Sequence, residues 1–242
     1  MNMESWIEFG KGPLFRLCFA LMLLGLGRAV FLSVYGTVES YRRSADRIVP
    51  WGDVIKRTLS WLFPIKRLGS KRPVYSVLSV VFHAGLILVP LFYAAHTQLW
   101  ERSVGFAWFA RPDGWADWLT LLAVAAGLML FLMRVAYQPA RAISRKQDFL
   151  WPLLLIVPLF TGWLCVHGEL GAKTYGWFML THIYTADLVM LLVPFTKVAH
   201  CLLAPLSHTV TAVGWKFPAE AGRQAAATLG YADKPSWVNK AR

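Results

Sequence analysis

Five long apolar runs, separated by short polar segments, dominate the pattern along the chain. The runs lie at about residues 14–36, 74–97, 117–137, 149–168 and 177–204. Since a helix rises about 1.5 Å per residue, each run is long enough to cross a hydrocarbon core of roughly 30 Å. None of them alternates polar and apolar residues as the strands of a membrane barrel do. A helix also satisfies its own backbone in lipid, so we predict an all-α integral membrane bundle of five helices.

The composition agrees with this pattern. Hydrophobic residues make up 57% of the 242 positions and charged residues 16%. A soluble domain of this size carries about 25% charged residues. The deficit of charge therefore favours a membrane protein over a soluble one.

The distribution of basic residues predicts the orientation in the membrane. Segment 37–73 holds nine Lys and Arg against three acidic residues, and the tail 205–242 holds five against two. Because basic segments remain cytoplasmic, we predict an N-terminus outside and a C-terminus in the cytoplasm. On this topology 37–73 is a basic cytoplasmic loop and 205–242 is an extended cytoplasmic tail. The net charge of +12 then reflects topology and contact with anionic membrane lipid, and we expect no binding to nucleic acid.

Within the basic loop, residues 51–63 (WGDVIKRTLSWLF) mix apolar and basic positions. This pattern predicts a short amphipathic helix, which suits either the membrane surface or a docking face for a soluble partner. Both uses remain open at this point.

Histidines inside the apolar runs are the main candidate chemistry. The second run holds His83 and His96, and the fifth holds His182 and His200. A single such histidine is ordinarily a packing residue, but four ionisable side chains in two membrane helices are costly. The predicted topology places His83 near the depth of His200, toward the cytoplasm, and His96 near the depth of His182, toward the outside. Since imidazole is a common axial ligand of haem iron, the pairs predict two haems held between the two helices.

The spacing between histidines places both on one helix face in the fifth run but not in the second. His182 and His200 are 18 residues apart, which is five full turns and about 27 Å on one helix face. His83 and His96 are 13 residues apart, about 20 Å, and about 140° away from a shared face. Either Pro90 kinks the second helix or the two haems contact different flanks of it.

Several other residues allow more than one interpretation. Gly85 and Gly162 suit either the approach of a macrocycle or close helix packing. Asp187, in the fifth run, suits a hydrogen bond to a ligand histidine, a proton relay or an ion pair. Glu169 and Lys173 suit either the surroundings of a quinone or interfacial anchoring. There is no constellation for independent acid–base or nucleophilic catalysis.

Three sequence features carry a family resemblance. They are THIYTADLVMLLVPFTKVAH (181–200), FH with a glycine two residues later in the second run, and PAR…S…DF before the fourth run. Over about residues 74–205 the chain resembles the cytochrome b (gamma) subunit family of respiratory nitrate reductase. It is most similar to the branch of that family found in sulfite-reductase-linked and heterodisulfide-reductase-like membrane complexes.

The resemblance implies a dihaem b-type cytochrome in the inner membrane of a prokaryotic cell. It implies that His83 and His200 bind the iron of an inner haem b, and that His96 and His182 bind the iron of an outer one. It also implies electron transfer between menaquinone or ubiquinone and an iron–sulfur partner subunit, expected on the cytoplasmic side. The alternative is a small membrane transporter or assembly factor with its histidines in a proton path.

Overall fold

The computed structural model describes residues 2–44, 48–62, 73–110, 114–214, 218 and 220–230. Within these ranges the regular structure is helical, apart from isolated bridge positions at Tyr93 and between Ser44 and Pro218. The helices are α1 (Met3–Phe9), α2 (Phe15–Arg43), α3 (Trp51–Leu62), α4 (Pro73–Phe92), α5 (Ala94–Val104), α6 (Gly114–Ala136), α7 (Gln138–Ala142), α8 (Lys146–His167), α9 (Ala172–Leu192), α10 (His200–Gly214) and α11 (Ala221–Thr228). A π-helical turn, Gly10–Leu14, joins α1 to α2, and the 3₁₀ turns Val193–Phe195 and Lys197–Ala199 follow α9.

Five helical segments are long and apolar enough to cross a membrane. They are Met3–Arg43, Pro73–Phe92, Gly114–Ala136, Lys146–His167 and Ala172–Phe195. The prediction of an all-helical chain with five candidate spans is therefore confirmed. The side of the membrane on which each terminus lies remains a prediction from the charge pattern.

Two expectations for the polar segments meet the structure differently. The amphipathic helix expected at 51–63 is α3. The tail was expected to be extended, but its described part forms most of α10 and all of α11. Positions 45–47 and 63–72 of the predicted loop, and 215–217, 219 and 231–242 of the tail, lie outside the described residues.

The chain divides into two compact units, and the larger contains residues 1–25 and 65–198. Within it α4 packs on α6, α6 on α8, and α8 on α9. Small residues allow the close approach: a Cβ added at Gly85 would lie 2.3 Å from Ala123 Cβ, and one at Gly127 would lie 2.6 Å from the Phe82 ring. Without a hydrophobic driving force in lipid, such close packing is what holds membrane helices together. The core buried between the three helices α4, α6 and α8 comprises Phe82, Ala123, Ala126, Leu130, Ile156 and Leu159.

The second apolar run is interrupted just before His96. Helix α4 ends at Phe92, Tyr93 is extended (φ −70°, ψ 134°), and α5 begins at Ala94. His83 and His96 therefore lie on different helices. The angle of about 140° expected between them on a single helix does not describe the structure. Pro90 lies inside α4, which continues past it to Phe92, so the break falls three residues after the proline.

The fifth apolar run is also interrupted. Pro194 lies in the 3₁₀ turn after α9, and Thr196 is extended (φ −131°, ψ 179°) before the chain turns into α10. His182 lies in the middle of α9, whereas His200 is the first residue of α10. The expected single helix from 177 to 204, with both histidines on one face, is thus replaced by two helices. Proline removes a backbone donor and ends the first of them.

The second compact unit contains residues 26–64 and 199–242. In its described part α3 packs on α10. Val54 of α3 is 6% exposed and Val213 of α10 is 2% exposed. One apolar residue of the amphipathic helix, Val54, thus packs within the unit, whereas Trp51, Ile55 and Leu59 are exposed.

Candidate functional site

The rings of His96 and His182 lie close together. Their centroids are 6.0 Å apart and their planes differ by 9°. His96 belongs to the first turn of α5, and His182 follows ten residues of α9. The two histidines predicted to share a depth are therefore neighbours, although His182 lies about 15 Å from the start of its helix rather than near its end.

Hydrogen bonds determine which nitrogen of each ring carries the proton. His182 Nδ1 lies 2.8 Å from the Pro158 carbonyl oxygen, and His96 Nδ1 lies 3.3 Å from that of Val89. A carbonyl only accepts, so each Nδ1 carries the proton and donates it. The lone pair of each neutral ring is then on Nε2, the arrangement found in metal-binding histidines that donate their other nitrogen to the backbone.

His96 lies beyond the end of the second membrane-spanning segment. Burial, and next the neighbouring His182 ring, lower the pKa of His96 from 6.5 to about 4. Desolvation disfavours the imidazolium cation. His96 is therefore neutral at pH 7, which is the form able to bind a metal ion.

Gly162 gives His182 its place against α8. A Cβ added at Gly162 would lie 2.8 Å from both Cε1 and Nδ1 of the His182 ring. Because carbon atoms in ordinary contact are at least 3.4 Å apart, only glycine leaves room for the imidazole here. The sequence suggested that Gly162 admits a macrocycle or packs helices, and in the structure it accommodates the ligand candidate itself.

Two tryptophans hold α5, and with it His96. Trp100 Nε1 donates to the Pro90 carbonyl at 3.3 Å, and Trp108 Nε1 donates to the Leu91 carbonyl. The break at Tyr93 deprives these carbonyls of helical donors, and an unpaired carbonyl in a membrane is costly. This pair was not predicted from the sequence, because the two tryptophans lie ten and 17 residues beyond the carbonyls that they bond.

The Trp100 ring also makes edge contacts with two rings of α2. Its centroid lies 5.2 Å from that of Phe15 and 4.9 Å from that of Phe19. Such edge-to-face pairs are favourable beyond the area they bury. The first part of α2 thus supports the turn that carries His96.

The other two histidines belong to different units of the chain. His83 is exposed on α4 in the larger unit, and His200 is exposed at the start of α10 in the other unit. His83 Nδ1 lies 2.7 Å from the Ser79 carbonyl oxygen, so it too carries its proton on Nδ1. Their assignment as one ligand pair remains a prediction from the sequence.

Asp187 has an unusual environment. Asp187 is 3% exposed, and its Oδ2 atom has no hydrogen-bond partner among the described residues. Glu169 and Lys173, the candidate quinone neighbours, are exposed on the connection between α8 and α9 and its first turn. The structure thus singles out Asp187, among these three, as the buried polar group.

The described residues contain no group of three or more His, Cys, Asp or Glu able to hold a metal ion. The His96–His182 pair offers two nitrogen donors. Such a pair suits a metal ion that arrives with its other ligands already in place.

Comparisons with known proteins add a relationship. A protein of Nitratidesulfovibrio vulgaris (strain Hildenborough), named only "Protein", is 34% identical to this chain over 155 residues, which are 64% of this chain and 67% of that protein. The chain belongs to the same family as that protein. No protein-family model and no solved structure matches the chain.

Proposed function

We propose that this protein is a dihaem b-type cytochrome subunit of a membrane oxidoreductase complex. The observation that carries the proposal is the His96–His182 pair, with its rings 6.0 Å apart and both Nδ1 atoms directed to backbone carbonyls. His182 lies in the apolar helix α9, and a polar side chain within a membrane is costly, which favours a functional role for its contact with His96.

The pair fits the ligand needs of haem iron. Each neutral ring keeps a lone pair on Nε2 and the two centroids lie 6.0 Å apart, so His96 and His182 could together hold one metal ion. A porphyrin supplies four nitrogen ligands of its own, so two protein ligands complete the coordination. His96 and His182 would hold the outer haem in this way, and His83 and His200 would hold the inner one.

The chain contributes placement and insulation. Bound haem supplies one-electron redox chemistry. Gly162 and the Pro158 carbonyl orient His182, and the two tryptophans orient the turn that carries His96. The packed helices around them exclude water and keep the imidazoles neutral.

In the proposed complex, the protein transfers electrons between the quinone pool and an iron–sulfur partner subunit. Quinol oxidised near the outer haem would release its protons outside. Electrons would reach the partner on the cytoplasmic side, where the basic loop 37–73 and the tail offer a docking surface. The supports for this part are the resemblance of residues 74–205 and the charge pattern.

Haem analysis of the purified protein tests the proposal. A pyridine haemochrome assay should give two b-type haems per chain. His96→Ala and His182→Ala should each remove the same haem, and His200→Ala should remove the other. A protein expressed with an adequate haem supply that carries none would contradict the proposal.

Asp187 favours a second candidate function, a proton-coupled transporter or an assembly factor. A buried carboxyl without a partner for Oδ2 is the kind of group that relays protons in membranes. Proton uptake by proteoliposomes that contain haem-free protein, abolished by Asp187→Asn, would support this alternative. Haem-loaded protein that conducts no protons would exclude it.

A further inference from the structure

A basic cavity lies where the start of α8 meets the turn that follows α9. Its volume is about 540 Å³, which is within the range of sites for small organic ligands. The lining residues are Arg145, Lys146, Gln147, Phe195, Thr196 and Lys197. Three of these six are cations, and this cavity is distinct from the His96–His182 pair.

The positive charge of the cavity is not cancelled by its surroundings. The nearby acid is Asp148, whose carboxylate lies 2.6 Å from Lys197 Nζ and 3.8 Å from Arg134. Neither Arg145 nor Lys146 forms an ion pair with any described residue. With Arg134 included, four cations face one carboxylate, so the cavity favours an anion.

An apolar surface continues from the cavity into the membrane-spanning part of α8. Lys146, Leu150 and Leu153 recur at positions i, i+4 and i+7, so they share one face of the helix. Leu150 is 61% exposed and Leu153 is 37% exposed, while Phe195 at the cavity itself is 73% exposed. A cationic cavity at the end of a span, with an apolar stripe leading from it toward the bilayer centre, matches an amphiphile with an anionic head.

We propose that this cavity binds the phosphate headgroup of an anionic membrane lipid, with an acyl chain along Leu150 and Leu153. Arg145 and Lys146 contact the phosphate, and Lys197 adds positive charge while it remains bound to Asp148. Basic pockets between membrane helices are known to hold such headgroups. The predicted topology places the ends of α8 and α9 concerned at the cytoplasmic surface. The proposal is independent of haem.

Lipid titration of the full-length protein in detergent, followed by native mass spectrometry, tests the proposal. Phosphatidylglycerol should bind more tightly than phosphatidylcholine. The double variant Arg145→Gln/Lys146→Gln should weaken phosphatidylglycerol binding by about thirtyfold, as expected for two basic residues near a lipid surface. Leu150→Ser should weaken the lipid while leaving any binding of inorganic phosphate unchanged.

The matched control is Arg102→Gln/Lys173→Gln. It also removes two exposed cations, one on α5 and one in the first turn of α9. Lys197 follows the other end of α9, so the control cation on α9 is distant from the cavity. Equal weakening by this control would assign the lipid preference to overall charge and overturn the proposal. Full competition by inorganic phosphate at matched concentration would assign the cavity to the free anion, and loss of haem without loss of lipid would assign the cations to the cofactor. Either result overturns the proposal.

Discussion

Gly162→Ala tests how the fold positions His182. The added methyl group would lie 2.8 Å from Cε1 and Nδ1 of the ring, against 3.4 Å for ordinary contact. The ring must therefore move by at least about 0.6 Å, or the two helices must separate. A shift of this size lengthens the 2.8 Å hydrogen bond from His182 Nδ1 to the Pro158 carbonyl to beyond a good N–H···O distance.

The expected cost has two parts. Overpacking a close contact costs about 1–3 kcal/mol, and a weakened hydrogen bond costs about 1 kcal/mol. We therefore expect the free energy of unfolding to fall by about 2–4 kcal/mol. Since the imidazole is also displaced from its position beside His96, the outer haem should be lost or bound with low occupancy.

The assay combines haem stoichiometry with unfolding in detergent, and two glycines serve as controls. Gly85→Ala places its Cβ 2.3 Å from that of Ala123, so it should destabilise the helix packing while both haems remain. Gly27→Ala has nothing within 4 Å of its added Cβ, so both quantities should remain close to those of the unchanged protein. The reasoning is refuted if Gly162→Ala retains two haems with an unchanged spectrum. It is also refuted if Gly85→Ala loses haem to the same extent, because general instability would then explain the loss.

Three further predictions follow from single contacts. Trp100→Phe keeps the aromatic packing but removes the donor to the last turn of α4, so thermal unfolding in detergent should show a loss of about 1 kcal/mol. Lys197→Met breaks a partly exposed ion pair and should cost about 1 kcal/mol; Asp148→Asn should cost more in the same assay, because this carboxylate also faces Arg134. In the unfolded chain His96 takes up a proton near pH 6.5, but in the folded chain it does so only near pH 4. Between these pH values His96 therefore binds fewer protons in the folded chain than in the unfolded one. The stability of cofactor-free protein relative to the His96→Gln variant should therefore fall by about 2 kcal/mol as the pH falls from 7 to 5, because the other titrating groups contribute almost equally to both proteins.

The helical class and the number of spans could be predicted from the sequence. Apolar runs of about 20 residues leave few choices in lipid, because the backbone must satisfy its own hydrogen bonds. The position of α3 was also predictable, since its apolar and basic positions follow the helical period. These properties depend on local pattern, which a single chain displays directly.

The ends of the helices were less predictable. Both histidine-bearing runs contain a proline. In the second run the break falls at Tyr93, three residues after Pro90, whereas in the fifth run α9 ends at Leu192 and Pro194 lies in the turn that follows. Where such a break falls depends on which side chains can satisfy the released carbonyls. In the second run these are two tryptophans from ten and more residues away, a relation that hydropathy does not show.

The sequence by itself determined that four histidines lie in or next to two apolar runs, and that a membrane protein would carry them at a cost. Tertiary structure alone decided that His96 and His182 are neighbours, because their meeting depends on the break at Tyr93, on the turn held by Trp100 and on the space left by Gly162. Contacts between residues distant in sequence arise from packing in three dimensions. The single helix predicted for the second run was therefore wrong for His96, although its pairing with His182, which the predicted topology suggested, is the one that the fold brings together.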